Sequence, residues 1–279
     1  MSRFCQIVIG PAGSGKSTYC SNLMRHCEDV GRRINIVNLD PAAEFFDYTP
    51  DVDVRELISL EDVLDDEDES IKFGPNGGLV FCMEFLIENL EWLDSQLGEG
   101  DDDYWVFDCP GQIELYTHLD VMKTLITHLQ NHHNFRCSAV CMFDVQCITD
   151  SAKFIGGSMA ALSSMTKLEV PFVNVLSKVD LLDVEQKENL DGYLDLMESH
   201  HELLKHLNNE NKGDQFMTKY KTLTTSLVNL LDSYGLVGFH TLDMSEENSM
   251  ADLLMLIDSQ IQYGEDLDVK DNYPDDEGG

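Results

Sequence analysis

Short runs of apolar, β-branched and aromatic residues recur along the chain at Phe4–Ile9, Ile34–Leu39, Tyr104–Phe107, Ser138–Phe143, Phe172–Leu176 and, more weakly, Val237–Leu242. Between them apolar residues return every three to four positions over Ser17–Val30, Gly77–Leu97, Ile113–Asn131 and Asp150–Lys167, which is the helical period. Strands that are apolar throughout are buried on both faces, as in a parallel sheet covered by helices. The pattern predicts an α/β fold with a doubly wound, mostly parallel sheet.

From Val184 to Tyr234 no strand signal appears. Leu190, Tyr193, Leu194 and Met197, then Phe216, Tyr220, Leu223, Leu227 and Leu230, fall at helical spacing among polar residues. The segment reads as a helical insertion, about 184–235, before the last strand, and it is a candidate for partner contacts because the sheet closes without it. An amphipathic helix over Ser249–Tyr263 follows. The expected organisation is one domain over 1–264 and an acidic tail over 265–279, too polar to order itself.

The chain has 279 residues and a formal charge of −34. It repels nucleic-acid phosphates and has no basic stretch to offset this, so direct nucleic-acid binding is not expected. The acidity gathers in Glu61–Glu69, Glu99–Asp103 and the tail, as solvated loops or as a face for a basic protein. No apolar run approaches the ~20 residues a bilayer requires, and the amino-terminal stretch reads as a first strand rather than a signal peptide. Eight cysteines occur without a C-x-x-C pair, which points to a reducing, cytoplasmic setting. Cys137, Cys141 and Cys147 with His132 or His133 are a conceivable zinc set, although core thiols explain the same residues.

One segment carries specific chemistry. Gly10-Pro-Ala-Gly-Ser-Gly15-Lys16-Ser17 fits G-x-x-x-x-G-K-S/T directly after a strand and before a helix. Glycines let backbone N–H groups approach phosphates, Lys16 would reach the β- and γ-oxygens, and Ser17 would ligate Mg²⁺. Gly13, Ser14, Gly15, Lys16, Ser17 and Thr18 are therefore the candidate phosphate site, and the fold is expected to be of the P-loop NTPase type.

The second strand ends in Asn38-Leu-Asp40-Pro41. On a strand beside the first, Asp40 would face the phosphates and either help hold Mg²⁺ through water or belong to a nucleotide-responsive segment, or it simply starts a turn before proline. The strand at 104–107 runs into Asp108-Cys-Pro-Gly-Gln112. An aspartate there supports the magnesium shell and a following glutamine can orient the attacking water, although D-x-P-G is also a common turn. After Phe172–Leu176 comes Ser177-Lys178-Val179-Asp180. The Asp180 carboxylate can accept both donors of guanine's Watson–Crick edge, which adenine lacks, a discrimination of about 1–3 kcal/mol. The common guanine element is N-K-x-D, and Ser177 stands in place of its Asn.

Together with Gly74-Pro75-Asn76, these motifs make the chain resemble the GPN-loop GTPases. The resemblance runs through Arg55-Glu-Leu-Ile, Phe73–Leu79, Phe107–Tyr116 and Gln262–Leu267, and so spans essentially the whole chain. It implies a dimeric GTPase in which Asn76, on a loop ahead of the 77–97 helix, reaches across the interface toward the partner's phosphates. It also implies that Asp108 and Gln112 position the water, with Lys16 assisting, and that Ser177, Lys178 and Asp180 bind guanine. The eukaryotic branch it resembles is understood to pair with the family's first paralogue and to support assembly and nuclear import of RNA polymerase II, shuttling to the nucleus. Two other readings remain: a GTP-binding scaffold subunit with negligible turnover, and a small-molecule kinase that would prefer ATP.

Overall fold

The computed structural model describes residues 2–64, 73–100, 103–188, 190, 192, 194, 215–234, 237–246 and 248–264. Seven strands form one sheet: β1 (Arg3–Ile9), β2 (Asn35–Asn38), β3 (Val52–Asp53), β4 (Tyr104–Asp108), β5 (Phe135–Asp144), β6 (Phe172–Ser177) and β7 (Phe239–Thr241). Their order is β3-β2-β4-β1-β5-β6-β7, and every pairing is parallel. The two-residue β3 is too short for any periodicity to reveal. It lies at the sheet edge and extends β2 through Val37 opposite Val52.

Helices cover both faces. Side chains of Cys5, Ile7 and Ile9 on β1 join Val37, Trp105 and Phe107 in the larger core. That core takes in α3 (Pro75–Glu88), α4 (Leu90–Leu97), α6 (Val121–His133) and α7 (Ser151–Leu168). Phe4 and Val8 point to the opposite face with Ile36 and Val106. There they meet α1 (Lys16–Asp29) and α10 (Ser249–Ile261), the last helix in chain order. This period-2 division of apolar strands between two covered faces is the three-layer arrangement that the sequence pattern requires.

Gln6 is the polar exception on β1. It is fully buried, donates to the Tyr104 hydroxyl at 2.7 Å, and accepts from the Tyr19 hydroxyl at 2.6 Å. Arg32 closes the same face. Its guanidinium pairs with both carboxylate oxygens of Asp258, at 2.5 and 2.9 Å, and lies 4.2 and 4.0 Å from the ring centroids of Tyr104 and Tyr263. The clamp fastens α10 to the sheet, which explains the packing role of Tyr263.

Several expectations are corrected. The 77–97 helix is two helices, because Asn89 leaves helical geometry between α3 and α4. The 113–131 helix is likewise α5 (Glu114–Thr117) and α6, with His118–Asp120 between them. A short α2 (Leu60–Leu64), which the sequence pattern missed, packs on α3; Gly78 permits this, since a Cβ there would stand 2.8 Å from Leu60 Cδ1. Between β6 and β7 the described residues form α8 (Val184–Glu188) and α9 (Gln215–Tyr234). Tyr193, Met197, the side chain of Phe216 and the tail over 265–279 lie outside the described residues. No helix among the described residues is long and apolar enough to cross a membrane.

Candidate functional site

All strands run the same way, so the loops after β1, β2, β4, β5 and β6 gather along one edge of the sheet. Asp40 follows β2, but β2 is not beside β1 as expected. β4 lies between them, which puts Asp108 opposite Val8 on one side and Asn38 on the other. Asp108 is therefore the carboxylate on the strand next to the phosphate loop.

The loop leaves β1 at Gly10 and enters α1 through Gly15, whose φ of +87° places it in left-handed geometry at the helix N-cap. No side chain caps that end of α1, so its amides remain available to an anion. Lys16 is buried, and its ammonium donates to the carbonyls of Gly10 and Pro11, each at 3.1 Å. Burial pushes its pKa down, against the pull of Asp108 and Asp40. The Ser14 hydroxyl is buried without a hydrogen-bond partner among the described residues. A buried orphan donor inside such a bend fits an absent phosphate oxygen. Gly13, Ser17 and Thr18 line the exposed side.

Asp108 is 2% exposed at the end of β4. Tyr48 donates its hydroxyl to Oδ2 at 2.8 Å, and the Ser17 hydroxyl also bonds the carboxylate. Burial nevertheless raises the Asp108 pKa; Ser17, Tyr48 and Lys16 oppose the rise, and the neighbouring Asp40 adds to it. Asp40 is raised for the same first reason, burial, against the Ala42 N–H, Lys16 and Arg55. Two carboxylates and a serine hydroxyl, all hard oxygen donors in a site that disfavours their negative charge, suit Mg²⁺.

The Asp40 turn is braced from behind. Asn38, fully buried, donates to the Asp40 carbonyl at 3.1 Å and to Asp53 at 2.9 Å, while its own oxygen accepts from the Asp40 N–H at 3.0 Å. Asp53 is held below the usual carboxylate range: burial works against this, but its bonds to Arg55 and Asn38 prevail. Arg55 also donates to the Ala43 carbonyl at 2.8 Å. Tyr48, Asn38 and Asp53 are site residues that sequence reasoning did not single out. Tyr48 lies in an irregular stretch, and only its hydroxyl amid aromatic neighbours hints at a role.

The Asp108–Gln112 bend abuts the phosphate loop. A Cβ on Gly111 would stand 2.8 Å from Ala12 Cα and 2.9 Å from Ala12 N, so only glycine permits this approach. The Cys109 N–H bonds the Val8 carbonyl at 3.1 Å, and the Tyr116 hydroxyl ties down the Pro110 carbonyl. Gln112 follows half-buried, and its side chain makes no hydrogen bond among the described residues.

On the other flank, Ser177 ends β6 with its hydroxyl 2.7 Å from the Ser14 carbonyl and 3.0 Å from that of Phe143. The serine that replaces the usual asparagine thus ties the base loop to the phosphate loop directly. Lys178, in left-handed geometry at φ 63°, bonds Asp144 at 2.8 Å. Asp144 is held low, its bonds to Lys178 and the Gln146 N–H outweighing burial. Beside them opens a cavity of about 320 Å³ lined by Asp144, Gln146, Lys153, Lys178, Leu181 and Leu182. Asp180 is exposed in the turn that follows.

Gly74-Pro75-Asn76 is not a free loop. Gly74 is the N-cap of α3 and Pro75 its first residue, where the missing proline N–H costs nothing. All three are exposed, and no hydrogen bond of the Asn76 side chain is seen among the described residues. The suggested zinc set is not assembled. Cys137 and Cys141 are buried on β5 and Cys147 lies in the turn after it, whereas His132 and His133 end α6, ahead of that strand. Among the described residues these groups form no metal-holding cluster.

A protein-family profile described as a conserved hypothetical ATP binding protein matches residues 8–263. The chain is 48% identical to GPN-loop GTPase 3 of Xenopus tropicalis over 97% of this chain and 92% of that protein. It is 45% identical to GPN-loop GTPase 3 of Dictyostelium discoideum over 97% and 91%. Among solved structures, the apo form of a GTPase from Pyrococcus abyssi superposes with a TM-score of 0.74 at 25% identity, covering 92% of this chain and 97% of that one.

Proposed function

This chain belongs to the GPN-loop GTPase family, and on that premise we propose that it binds GTP with Mg²⁺ and hydrolyses it within a heterodimer formed with the family's first paralogue. The observation that carries the reading is the Asp108 carboxylate, held between the Ser17 and Tyr48 hydroxyls and flanked electrostatically by Lys16 and Asp40. On the strand beside the phosphate loop, this arrangement of oxygen donors would support a magnesium ion. The family profile speaks of ATP; the names of the curated relatives and the Asp180 carboxylate after β6 favour guanine.

Ser17, Asp40 and Asp108 would hold the metal. When bound, Mg²⁺ supplies positive charge to the β- and γ-phosphate oxygens. Lys16 exchanges its bonds to the Gly10 and Pro11 carbonyls for phosphate oxygens, and the Ser14 hydroxyl and the first amides of α1 donate to the same groups. Gln112 orients the attacking water, and Ser177, Lys178 and Asp180 fix the base. Asn76, exposed at the first turn of α3, is proposed to act on the partner's nucleotide, making hydrolysis depend on the dimer.

The heterodimer is proposed to assist assembly and nuclear import of RNA polymerase II, moving between cytoplasm and nucleus. A net charge of −34 favours a client with basic surfaces and disfavours nucleic acid. Single-turnover hydrolysis by the reconstituted heterodimer tests the enzyme reading. GTP should be cleaved, ATP should not compete, and Gln112→Ala should slow cleavage about 100-fold. Equal, near-zero rates for both proteins would favour a GTP-binding scaffold.

A further inference from the structure

At the amino ends of the strands lies a second cluster of chemistry. Two imidazole nitrogens converge on one carboxylate oxygen: Asp94 Oδ1 is 2.7 Å from His128 Nε2 and 2.6 Å from His133 Nε2. Asp94 comes from α4, and the histidines from the last turns of α6. Their three ligand atoms lie within 4.8 Å of one another. His132, one helical turn after His128, stacks its ring on His128 at 4.4 Å. A cavity of about 670 Å³, lined by Arg3, Asp94, Glu99, His132 and His133, opens onto the cluster from solvent. β1 spans seven residues from Arg3, beside this cluster, to the start of the phosphate loop, so the two sites stand ~20 Å apart.

We propose that Asp94, His128 and His133 form a binding site for a zinc-class divalent ion, with His132 or water as fourth ligand. Two imidazoles and a carboxylate are the ligand chemistry of Zn²⁺, Co²⁺ and Ni²⁺ rather than of Mg²⁺ or Ca²⁺. The present contacts are hydrogen-bond lengths. An ion replacing the bridging protons would spread its ligands to about 3.3 Å, a change that side-chain rotation on two helices can supply. Arg3 sets the cost of that change. Its Nη1 lies 3.3 Å from His133 Nδ1. A guanidinium only donates, so in this state Nδ1 carries the lone pair and the proton sits on Nε2, toward Asp94. Metal on Nε2 moves that proton to Nδ1, and Arg3 must turn away to the carbonyls of Leu97 and Gly98, which it already meets at 2.9 and 3.1 Å. The ion would pin α4 to α6, and through α4 the helix that follows the Gly-Pro-Asn turn.

The test is titration of the chelator-treated full chain, without nucleotide, by ZnCl₂ and by CoCl₂. Expected are one saturable equivalent, visible Co²⁺ bands of nitrogen–oxygen ligation, and a rise in unfolding temperature that a chelator reverses. Asp94→Asn and His128→Ala should each weaken binding about 100-fold or more while guanine-nucleotide binding persists. Asp94→Asn preserves shape and hydrogen bonding, so it decides the matter should His128→Ala fold poorly. Absence of saturable binding, binding that survives Asp94→Asn, or thiolate charge-transfer bands would each overturn the assignment.

Discussion

Replacing Tyr48 by phenylalanine deletes one oxygen and keeps the ring that packs in the smaller core. That oxygen donates to Asp108 Oδ2 at 2.8 Å in a site where Asp108 is 2% exposed, so water cannot easily take its place. A hydrogen bond to a buried charge is worth about 1.5–3 kcal/mol. Ser17 also serves the carboxylate but would be drawn to the metal in the loaded site, leaving Tyr48 as its side-chain donor. Most of the loss should therefore appear when the carboxylate must be ionised and aimed. Single-turnover GTP hydrolysis should slow about ten- to a hundredfold. The acid limb of the pH–rate profile should move to higher pH, since Asp108 loses a bond that favours its charged form. An unchanged rate with an unchanged acid limb would refute the reasoning; a lower unfolding temperature with normal hydrolysis would reduce Tyr48 to packing.

Asp108→Asn should abolish hydrolysis yet stabilise the nucleotide-free chain. Burial raises the native pKa of Asp108, so between the unfolded and native values the native state holds the extra proton and stability falls as pH rises. The amide escapes that loss, and urea unfolding should show the variant's advantage near pH 7 and its disappearance in acid below the unfolded carboxylate range. Arg32→Ala removes a bidentate pair whose partners are 14% and 18% exposed, together with its two aromatic contacts. It should cost about 2–3 kcal/mol, read as a fall of roughly 4–12 °C in Tm.

Most of the sheet was legible because strands buried on both faces must be apolar throughout, and the phosphate loop because its spacing is set by phosphate geometry. What escaped was governed by tertiary contact. Nothing local tells Val52–Asp53 to pair with β2, or Asn89 to break a run whose apolar residues continue across it. The strand order escaped as well: Asp40 and Asp108 each end a strand, and only the insertion of β4 beside β1 decides which carboxylate stands next to the loop. Tyr48 reaches Asp108 across sixty positions, a pairing no window of sequence contains.

The short side chain at Ser177 makes the base loop hard to transplant. Its oxygen is 3.7 Å from where a Cβ on Gly15 would stand, and the residue is 3% exposed. An engineer importing the commoner asparagine would add two heavy atoms to this packed seam and push apart the two loops that the serine joins, at a cost of about 1–3 kcal/mol. Graftable nucleotide specificity would thus require redesigning both loops together, as one part.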